Sequence, residues 1–213
     1  QCACVDKTCY LCKTNNMAGR LHLSIYMAQI NDFLSHIDFD AMREYCMANG
    51  NTVHYARGDC FADAGRVGKY VGFVKSGYFK YCVITSKGDY AVTGFSFEDE
   101  CIVDFTQSFL FGKPSKISIV AGCDFVVLQV PLNSIREYLI QHKPELISKI
   151  SAVVLEEAYS RYLDLHKRTP AERYLEISNK YPDLLDKVPL RDIASYLLVT
   201  PVHLSRIRKK LEK

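Results

Sequence analysis

Between residues 52 and 130, apolar and polar residues alternate, and short turn sequences separate the alternating runs. Residues 79–83 show the alternation clearly, and the Lys-Gly-Asp triplet at 87–89 is one of the turns. Alternation places the apolar side chains on one face of a strand, and closely spaced turns join antiparallel neighbours. This stretch therefore predicts a sandwich or barrel of short antiparallel strands.

A long helix is predicted after Pro144, where apolar residues recur at helical spacing over about 25 residues in two stripes. The first stripe contains Ile147, Ile150, Val154, Ala158 and Leu165. The second stripe contains Leu155, Tyr159 and Tyr162. A helix that is apolar on two sides must be covered on two sides, so we expect one stripe to contact the β region and the other a second copy of the helix. A single core helix inside a monomer is the alternative.

The last segment, residues 188–211, predicts two short helices joined by a tight turn. Thr200-Pro201 marks the start of the second helix, because threonine caps a helix and proline suits its first position. Beyond it, aliphatic residues occupy one side of the helix and polar or basic residues the other. Residues 201–213 carry five Lys/Arg and one Glu, a local charge that is typical of phosphate contact. An ordinary amphipathic helix with a solvated basic end is the alternative.

The sequence DIASYLLVTPVHLSRIRKK resembles the helix-turn-helix of the Crp/Fnr family of bacterial transcription regulators. The likeness lies in the D-I-A-x-x-L opening, the T-P entry into the second helix and the L-S-R-I-R-K run. The glycine placement in YVGFVKSGYFKYCV and the segment 87–131 are similar to the double-stranded β-roll of cyclic-nucleotide-binding domains.

The resemblance implies an α+β chain with an antiparallel, jelly-roll-like β-roll. A long dimerisation helix and a small helical domain of winged-helix type, with a reduced wing, would follow the roll. The expected parts are a flexible cysteine-rich arm at 1–20, a cyclic-nucleotide-binding-like sensor at 21–135, a dimerisation helix at 136–168 and a helix-turn-helix DNA-binding domain at 169–213.

A chain of this kind is expected to be a cytoplasmic homodimer that binds a palindromic operator in double-stranded DNA. An effector in the β-roll would reorient the long helices and so set the spacing of two recognition helices, about 34 Å apart. RNA polymerase is a candidate further partner. Two alternatives stay open: a ligand-binding regulatory or interaction protein that does not bind DNA specifically, and a redox or metal sensor.

Arg206 is the first candidate for a base contact, because its guanidinium can bridge O6 and N7 of guanine. Ser205 and Lys209 would contact the backbone or base edges. The other candidate DNA-binding residues, mostly for phosphate, are Thr200, Val202, His203, Arg191, Arg208 and Lys210.

Two residues of the helix-turn-helix depart from the family pattern. Val202 replaces a glutamate that commonly reads cytosine, so direct readout should be narrower and could favour a thymine methyl group. Leu198 stands where the turn commonly has glycine, and a left-handed conformation there would cost a leucine roughly 1 kcal/mol or more.

A cyclic-nucleotide site needs a carboxylate for the ribose and an arginine for the cyclic phosphate. In the family these lie between two strands of the roll. Alignment on the SIVA strand puts Phe105 at the carboxylate position with Asp104 beside it, and Ser115 at the arginine position with Lys116 beside it. We therefore do not expect tight binding of cyclic AMP, and the effector is unknown.

Four of the nine cysteines lie in the first twelve residues: Cys2, Cys4, Cys9 and Cys12. Four thiolates so close together could hold zinc or an iron–sulfur cluster. Their spacing differs from that of the family's cluster, and the chain begins with glutamine, so a flexible or non-native arm is the preferred interpretation. The five remaining cysteines are predicted to be small, buried apolar residues in a reducing compartment.

The sequence gives no positive case for catalysis, and we expect no enzyme activity. A cupin-like metal site would need several histidines in the β-roll, but only His54 lies there. The sequence contains no Gly-rich phosphate loop, no G-x-S-x-G and no H-E-x-x-H. It also contains no apolar run of transmembrane length, and no membrane partner is expected.

Overall fold

The structure is a computed structural model that describes residues 31–182 and 184–211. Within these residues, eight strands form two antiparallel sheets with the orders β1-β8-β3-β6 and β2-β7-β4-β5. The strands are β1 (Asn51–Tyr55), β2 (Cys60–Ala62), β3 (Tyr70–Ser76), β4 (Phe79–Ile84), β5 (Tyr90–Ser96), β6 (Cys101–Ile102), β7 (Ser118–Ala121) and β8 (Phe125–Pro131). The predicted α+β fold with an antiparallel β-roll is confirmed.

The two sheets enclose an aromatic core. Phe79 and Phe125 are buried, and their ring centroids lie 3.8 Å apart in an edge-to-face arrangement. Tyr55 stacks on Phe125 with 5.1 Å between centroids, and Phe61 meets Phe79 at 5.7 Å. Each buried phenylalanine contributes roughly 1.5–3 kcal/mol, so this cluster fixes how the sheets face each other.

Seven α-helices accompany the β-roll in the described part of the chain. They are α1 (Asp40–Asn49), α2 (Leu132–His142), α3 (Pro144–Lys167), α4 (Pro170–Lys180), α5 (Leu184–Lys187), α6 (Leu190–Tyr196) and α7 (Pro201–Leu211). A 3-10 turn at Asp32–His36 precedes them, and a π-helical turn at Phe105–Leu110 joins β6 to β7. The single turn of α5 occupies the stretch where a reduced wing was expected, and the described residues after β8 contain no strand.

Local sequence explains where the C-terminal helices begin. Pro144 stands at the first position of α3, where its missing N–H costs nothing. Thr169 caps α4 through a capping box, in which its hydroxyl accepts a bond from the Glu172 N–H and the Glu172 carboxylate accepts one from the Thr169 N–H. These start signals separate the long helix from the C-terminal helices.

The long helix α3 has two apolar sides, as its sequence predicted. Ile150 is buried, and Val154 packs with it against the cluster formed by the roll, α1 and α2. On the other side Leu155 is 71% exposed, and Tyr159 and Tyr162 are each 57% exposed. Leu165 was grouped with the packed stripe, but it is 46% exposed, one turn beyond Arg161. One face of α3 therefore lacks a covering surface among the described residues.

The structure corrects part of the cysteine prediction. Cys46 and Cys82 are buried, but Cys101 and Cys123 are only partly buried and Cys60 is exposed. Cys60 is the first residue of β2 and is exposed, whereas the next two residues of the same strand, Phe61 and Ala62, are buried. The cysteines at positions 2, 4, 9 and 12 lie outside the described residues.

Candidate functional site

The turn between α6 and α7 is a Schellman motif centred on Leu198. The Val199 N–H donates to the Ala194 carbonyl over 2.9 Å, and the Leu198 N–H donates to the Ser195 carbonyl over 3.0 Å. Leu198 has φ +59° and is 62% exposed, so a leucine occupies a left-handed position that glycine usually fills. Leu198 therefore keeps the left-handed conformation of the usual glycine turn despite its cost, and the two hydrogen bonds hold the strained residue in place.

Helix α7 presents one exposed side to solvent, which is polar except for Val202. The Thr200 hydroxyl accepts a bond of 3.2 Å from the His203 N–H, which caps the helix as predicted. Leu204 and Ile207 are buried beneath the helix. The residues exposed on the opposite side are Val202, His203, Arg206, Lys209 and Lys210, and Ser205 and Arg208 are half-buried beside them.

The cations of this side are available for a ligand. No described residue forms an ion pair with Arg206, Lys209 or Lys210. Arg191, near the start of α6, is also exposed, but its Nε lies 3.6 Å from an oxygen of Asp192. Within the helix-turn-helix, the cations without a described ion-pair partner therefore lie on α7.

The helix-turn-helix is docked on the β-roll, a contact that the sequence did not predict. Lys80 Nζ on β4 lies 3.0 Å from Asp192 Oδ2 on α6, and their side chains are 19% and 10% exposed. The Val92 N–H of β5 donates to the Ser195 hydroxyl over 2.9 Å. A shared apolar cluster surrounds these bonds and includes Tyr78, Phe95, Ile193 and Leu197. The outer face of the β4–β5 hairpin thus holds the first helix of the pair.

A cavity of about 530 Å³ lies between the roll and α3. Its walls are mainly aromatic and aliphatic, with Phe33, Phe39, Phe105, Phe109 and Ile150 among them. Its polar lining residues include Asn31, Tyr81, Thr93, Ser96, Asp104, Thr106, Glu157 and Arg161. A volume of this size suits a small organic ligand, since ligand pockets measure roughly 300–1,000 Å³.

Only part of the predicted effector pocket borders this cavity. Asp104 and Phe105 line it, whereas Ser115 and Lys116 are not among its lining residues. The Asp104 carboxylate caps the π-helical turn by accepting bonds from the Ser108 N–H at 3.1 Å and the Ser108 hydroxyl at 2.8 Å. Ser115 is buried and its hydroxyl donates to the Ile117 carbonyl over 2.7 Å, while Lys116 is exposed.

Arg161 is a functional candidate that sequence reasoning missed. It lines the cavity from α3, and its Nε donates to Glu157 Oε1 over 2.5 Å. Its guanidinium carbon lies 5.9 Å from the ring centre of Phe33 and 5.6 Å from that of Tyr196. Tyr196 belongs to α6, and its ring lies 5.5 Å from that of Phe95. Arg161 therefore lines the cavity and also contacts the helix-turn-helix. The only sequence feature that pointed to it was the Glu-x-x-x-Arg spacing of Glu157 and Arg161 on α3.

Glu100 is a buried acid behind the cavity wall. It is 4% exposed, and its Oε2 accepts bonds from Asn31 Nδ2 at 2.5 Å and from the Phe97 N–H at 3.2 Å. Its Oε1 has no hydrogen-bond partner among the described residues. Burial raises the pKa of the Glu100 carboxyl from 4.5 to about 7.

No group of three or more His, Cys, Asp or Glu side chains in the described residues could hold a metal ion. The predicted zinc or iron–sulfur ligands lie outside those residues, so that prediction stays open. None of the described helices combines the length and apolarity needed to cross a bilayer.

No protein-family model matches the chain, and no curated protein matches it significantly. Solved structures do match. FixK2 from Bradyrhizobium japonicum has a TM-score of 0.62 and 19% identity, covering 76% of this chain and 84% of that one. The c-di-GMP-responsive global regulator CLP from Xanthomonas campestris has a TM-score of 0.61 and 14% identity, covering 82% of this chain and 92% of that one. The catabolite activator protein of Thermus thermophilus has a TM-score of 0.51 and 16% identity, covering 84% of this chain and 86% of that one. The resemblance inferred from the sequence is thus confirmed at the level of structure: this chain has the fold of the Crp/Fnr regulators.

Proposed function

We propose that this chain is a DNA-binding transcription regulator whose helix α7 reads an operator. The observation that carries the proposal is the exposed polar side of α7, with Arg206, Lys209 and Lys210 free of described ion-pair partners. A helix with this distribution can enter the major groove and meet base edges, with its cations near the phosphates. The fold shared with FixK2 and CLP supports the proposal.

The regulator would act as a homodimer through α3. Leu155, Tyr159 and Tyr162 are exposed, and they recur at spacings of four and three residues, the period of a coiled-coil seam. Pairing of two such seams about a two-fold axis would cover the uncovered face of α3. Two copies of α7 would then meet two half-sites of a palindrome, about 34 Å apart.

Regulation would pass from the cavity to the helix-turn-helix. A ligand in the cavity contacts the wall that contains Arg161 and Phe95, and both of these touch Tyr196 of α6. A ligand that binds one arrangement of this contact better than another shifts the population toward it. A cytoplasmic location and a contact with RNA polymerase belong to the same proposal.

The direct test is binding to the DNA upstream of the protein's own gene. In an electrophoretic mobility shift at fixed salt, a specific fragment should bind at least 10³-fold more tightly than a scrambled fragment of equal length. Equal affinity for both fragments would overturn the proposal.

The docking of α6 on the roll favours one alternative, a ligand-binding regulatory protein whose helix-turn-helix contacts protein instead of DNA. Lys80 and Asp192 already engage the first helix in an intramolecular contact. In this alternative the mobility shift shows no sequence preference, whereas ligand binding in the cavity is unaffected.

A further inference from the structure

The cavity between the roll and α3 has a charge balance that argues for a particular class of ligand. Of its described lining residues, only Asp104, Glu157 and Arg161 carry formal charge near neutral pH, which leaves one net negative charge. A pocket for a phosphate or carboxylate needs the opposite balance, with a cation or several N–H donors aimed at the anion.

The one lining arginine is already neutralised. Arg161 Nε donates to Glu157 Oε1 over 2.5 Å, and the guanidinium stands over the rings of Phe33 and Tyr196. An incoming anion would have to compete with a carboxylate held one helical turn away on the same helix. Partial burial weakens solvent screening, so both the existing pair and the repulsion from Glu157 are stronger than in water.

The Asp104 carboxylate has little hydrogen-bonding capacity left for a sugar hydroxyl, because it already accepts three bonds within the π-helical turn. One of its oxygens accepts two bonds from Ser108, and the other accepts a bond of 3.4 Å from the Gln107 N–H. Breaking this cap to bind a ligand would leave the π-helical turn without its N-terminal partner. The carboxylate therefore contributes negative potential to the cavity but little hydrogen-bonding capacity.

The remaining surface suits rings and uncharged groups. Phe33, Phe39, Phe105 and Phe109 line the cavity, and aromatic walls favour ligands that can stack on them or meet their edges. At the β-sheet side, the hydroxyls of Tyr81 and Ser96 lie 3.1 Å apart and offer a neutral donor and acceptor. A ligand with an apolar ring system and one hydroxyl, amide or carbonyl group can contact the aromatic walls and form a hydrogen bond with the hydroxyl of Tyr81 or Ser96.

We propose that the cavity binds an uncharged, largely aromatic small molecule, and that nucleotides and other phosphates are excluded. This inference rests on the proposed function only in calling the ligand an effector. Binding itself is tested without DNA, so the two proposals can fail separately.

The test uses two fluorescent probes that share one scaffold. N-phenyl-1-naphthylamine is neutral, and 1-anilinonaphthalene-8-sulfonate adds a sulfonate to the same ring system. With the full chain, the neutral probe should bind saturably, one per chain, at least tenfold more tightly than the sulfonate. Millimolar cyclic AMP should not displace it. Tighter binding of the sulfonate, or displacement by cyclic AMP, would overturn the proposal.

Two variants locate the probe. Ala158 lines the cavity on α3, so Ala158→Phe should fill it and weaken binding of the neutral probe at least tenfold. Ser160 is exposed on the same helix and does not line the cavity, so Ser160→Phe should bind as the wild type does. Equal binding by both variants would place the probe elsewhere and contradict the inference.

A third variant tests the charge argument itself. Glu157→Gln removes the carboxylate that neutralises Arg161 and should strengthen binding of the sulfonate about tenfold, with little change for the neutral probe. An unchanged preference would show that the ion pair does not set selectivity. If the probe results are as expected but specific operator binding is absent, the cavity inference stands and the proposed function is wrong. If operator binding is specific but the probe results fail, only the cavity inference is wrong.

Discussion

Lys80 and Asp192 form an ion pair of 3.0 Å between strand β4 of the β-roll and the first helix of the helix-turn-helix. Both side chains are largely buried, and the surrounding apolar cluster is continuous from the roll to α7. A pair in this position contributes more to choosing one docking geometry than to net stability, because desolvation offsets much of its attraction. It therefore fixes where helices α6 and α7 stand relative to the β-roll.

Replacing one partner of this pair should destabilise the chain more than replacing both. Lys80→Met leaves the Asp192 carboxylate in the contact with only Arg191 nearby, at 3.6 Å, and should cost about 3 kcal/mol of unfolding free energy. Lys80→Met combined with Asp192→Leu should recover most of that loss. Urea unfolding of the two single variants and the double variant measures the coupling, and purely additive losses would contradict the pair.

Leu198→Gly should stabilise the protein by up to about 1 kcal/mol. The substitution removes the left-handed strain at φ +59° and sacrifices little burial, since the side chain is 62% exposed. Leu198→Ala keeps a Cβ and hence the strain, so it should give no such gain. Thermal unfolding of both variants decides the matter; a glycine variant no more stable than the alanine variant would show that the turn is not strained.

Arg206→Ala should weaken binding to the specific operator by about 1–3 kcal/mol and leave binding to unrelated DNA nearly unchanged. Arg206 is exposed on the polar side of α7, so the fold should be unaffected. Lys210→Ala is the matched variant on the same helix. It should weaken binding to all sequences and lower the salt slope by roughly one unit. If the Arg206→Ala loss extended to all sequences and the Lys210→Ala loss were confined to the operator, the roles assigned to the two side chains would be wrong.

Leu155→Glu should shift the protein from dimer to monomer. Leu155 is 71% exposed in the single chain. In the paired apolar seam, a carboxylate at this position would lie close to the same carboxylate of the second copy, with no positive charge to neutralise either one. Ser160→Glu adds the same charge to an exposed position of α3 outside the seam and should remain dimeric. Sedimentation velocity distinguishes the species, and a monomeric wild type would remove the basis of the proposal for α3.

The roll and the helix-turn-helix were predictable because their signals are local. The apolar alternation in the sequence of residues 79–83 and the cap at Thr200 each depend on residues only a few positions apart, although a register shift between Tyr81 and Cys82 interrupts the alternation of burial within β4. Comparison with the usual glycine singled out Leu198 and the cost of a left-handed turn there, but the structure was needed to show that the turn keeps this conformation.

The docking contact and the cavity were not predictable in this way. Lys80 and Asp192 are 112 residues apart, and neither residue type at its position indicates a buried partner. Arg161 and Glu157 have the spacing of an ordinary exposed helix pair, and only the packed structure shows that they line a cavity. Cys60 failed the burial prediction because its residue type does not show where a strand begins or which face its side chain occupies, and it lies at the exposed first position of β2.

The stability of the protein should fall as pH rises from about 4.5 to about 7, because of Glu100. Burial raises the pKa of its carboxyl in the folded state to about 7, against 4.5 in an exposed chain. Over this interval the folded protein retains a proton that the unfolded chain has released, so the free energy of unfolding decreases with pH, by roughly 3 kcal/mol in total.

Glu100→Gln keeps the neutral form at every pH. It should flatten this dependence and be more stable than the wild type at pH 8. Glu98, which is exposed, provides the control: Glu98→Gln should retain the wild-type profile. Urea midpoints between pH 5 and pH 8 measure all three proteins, and a wild-type slope in Glu100→Gln would assign the titration to another group.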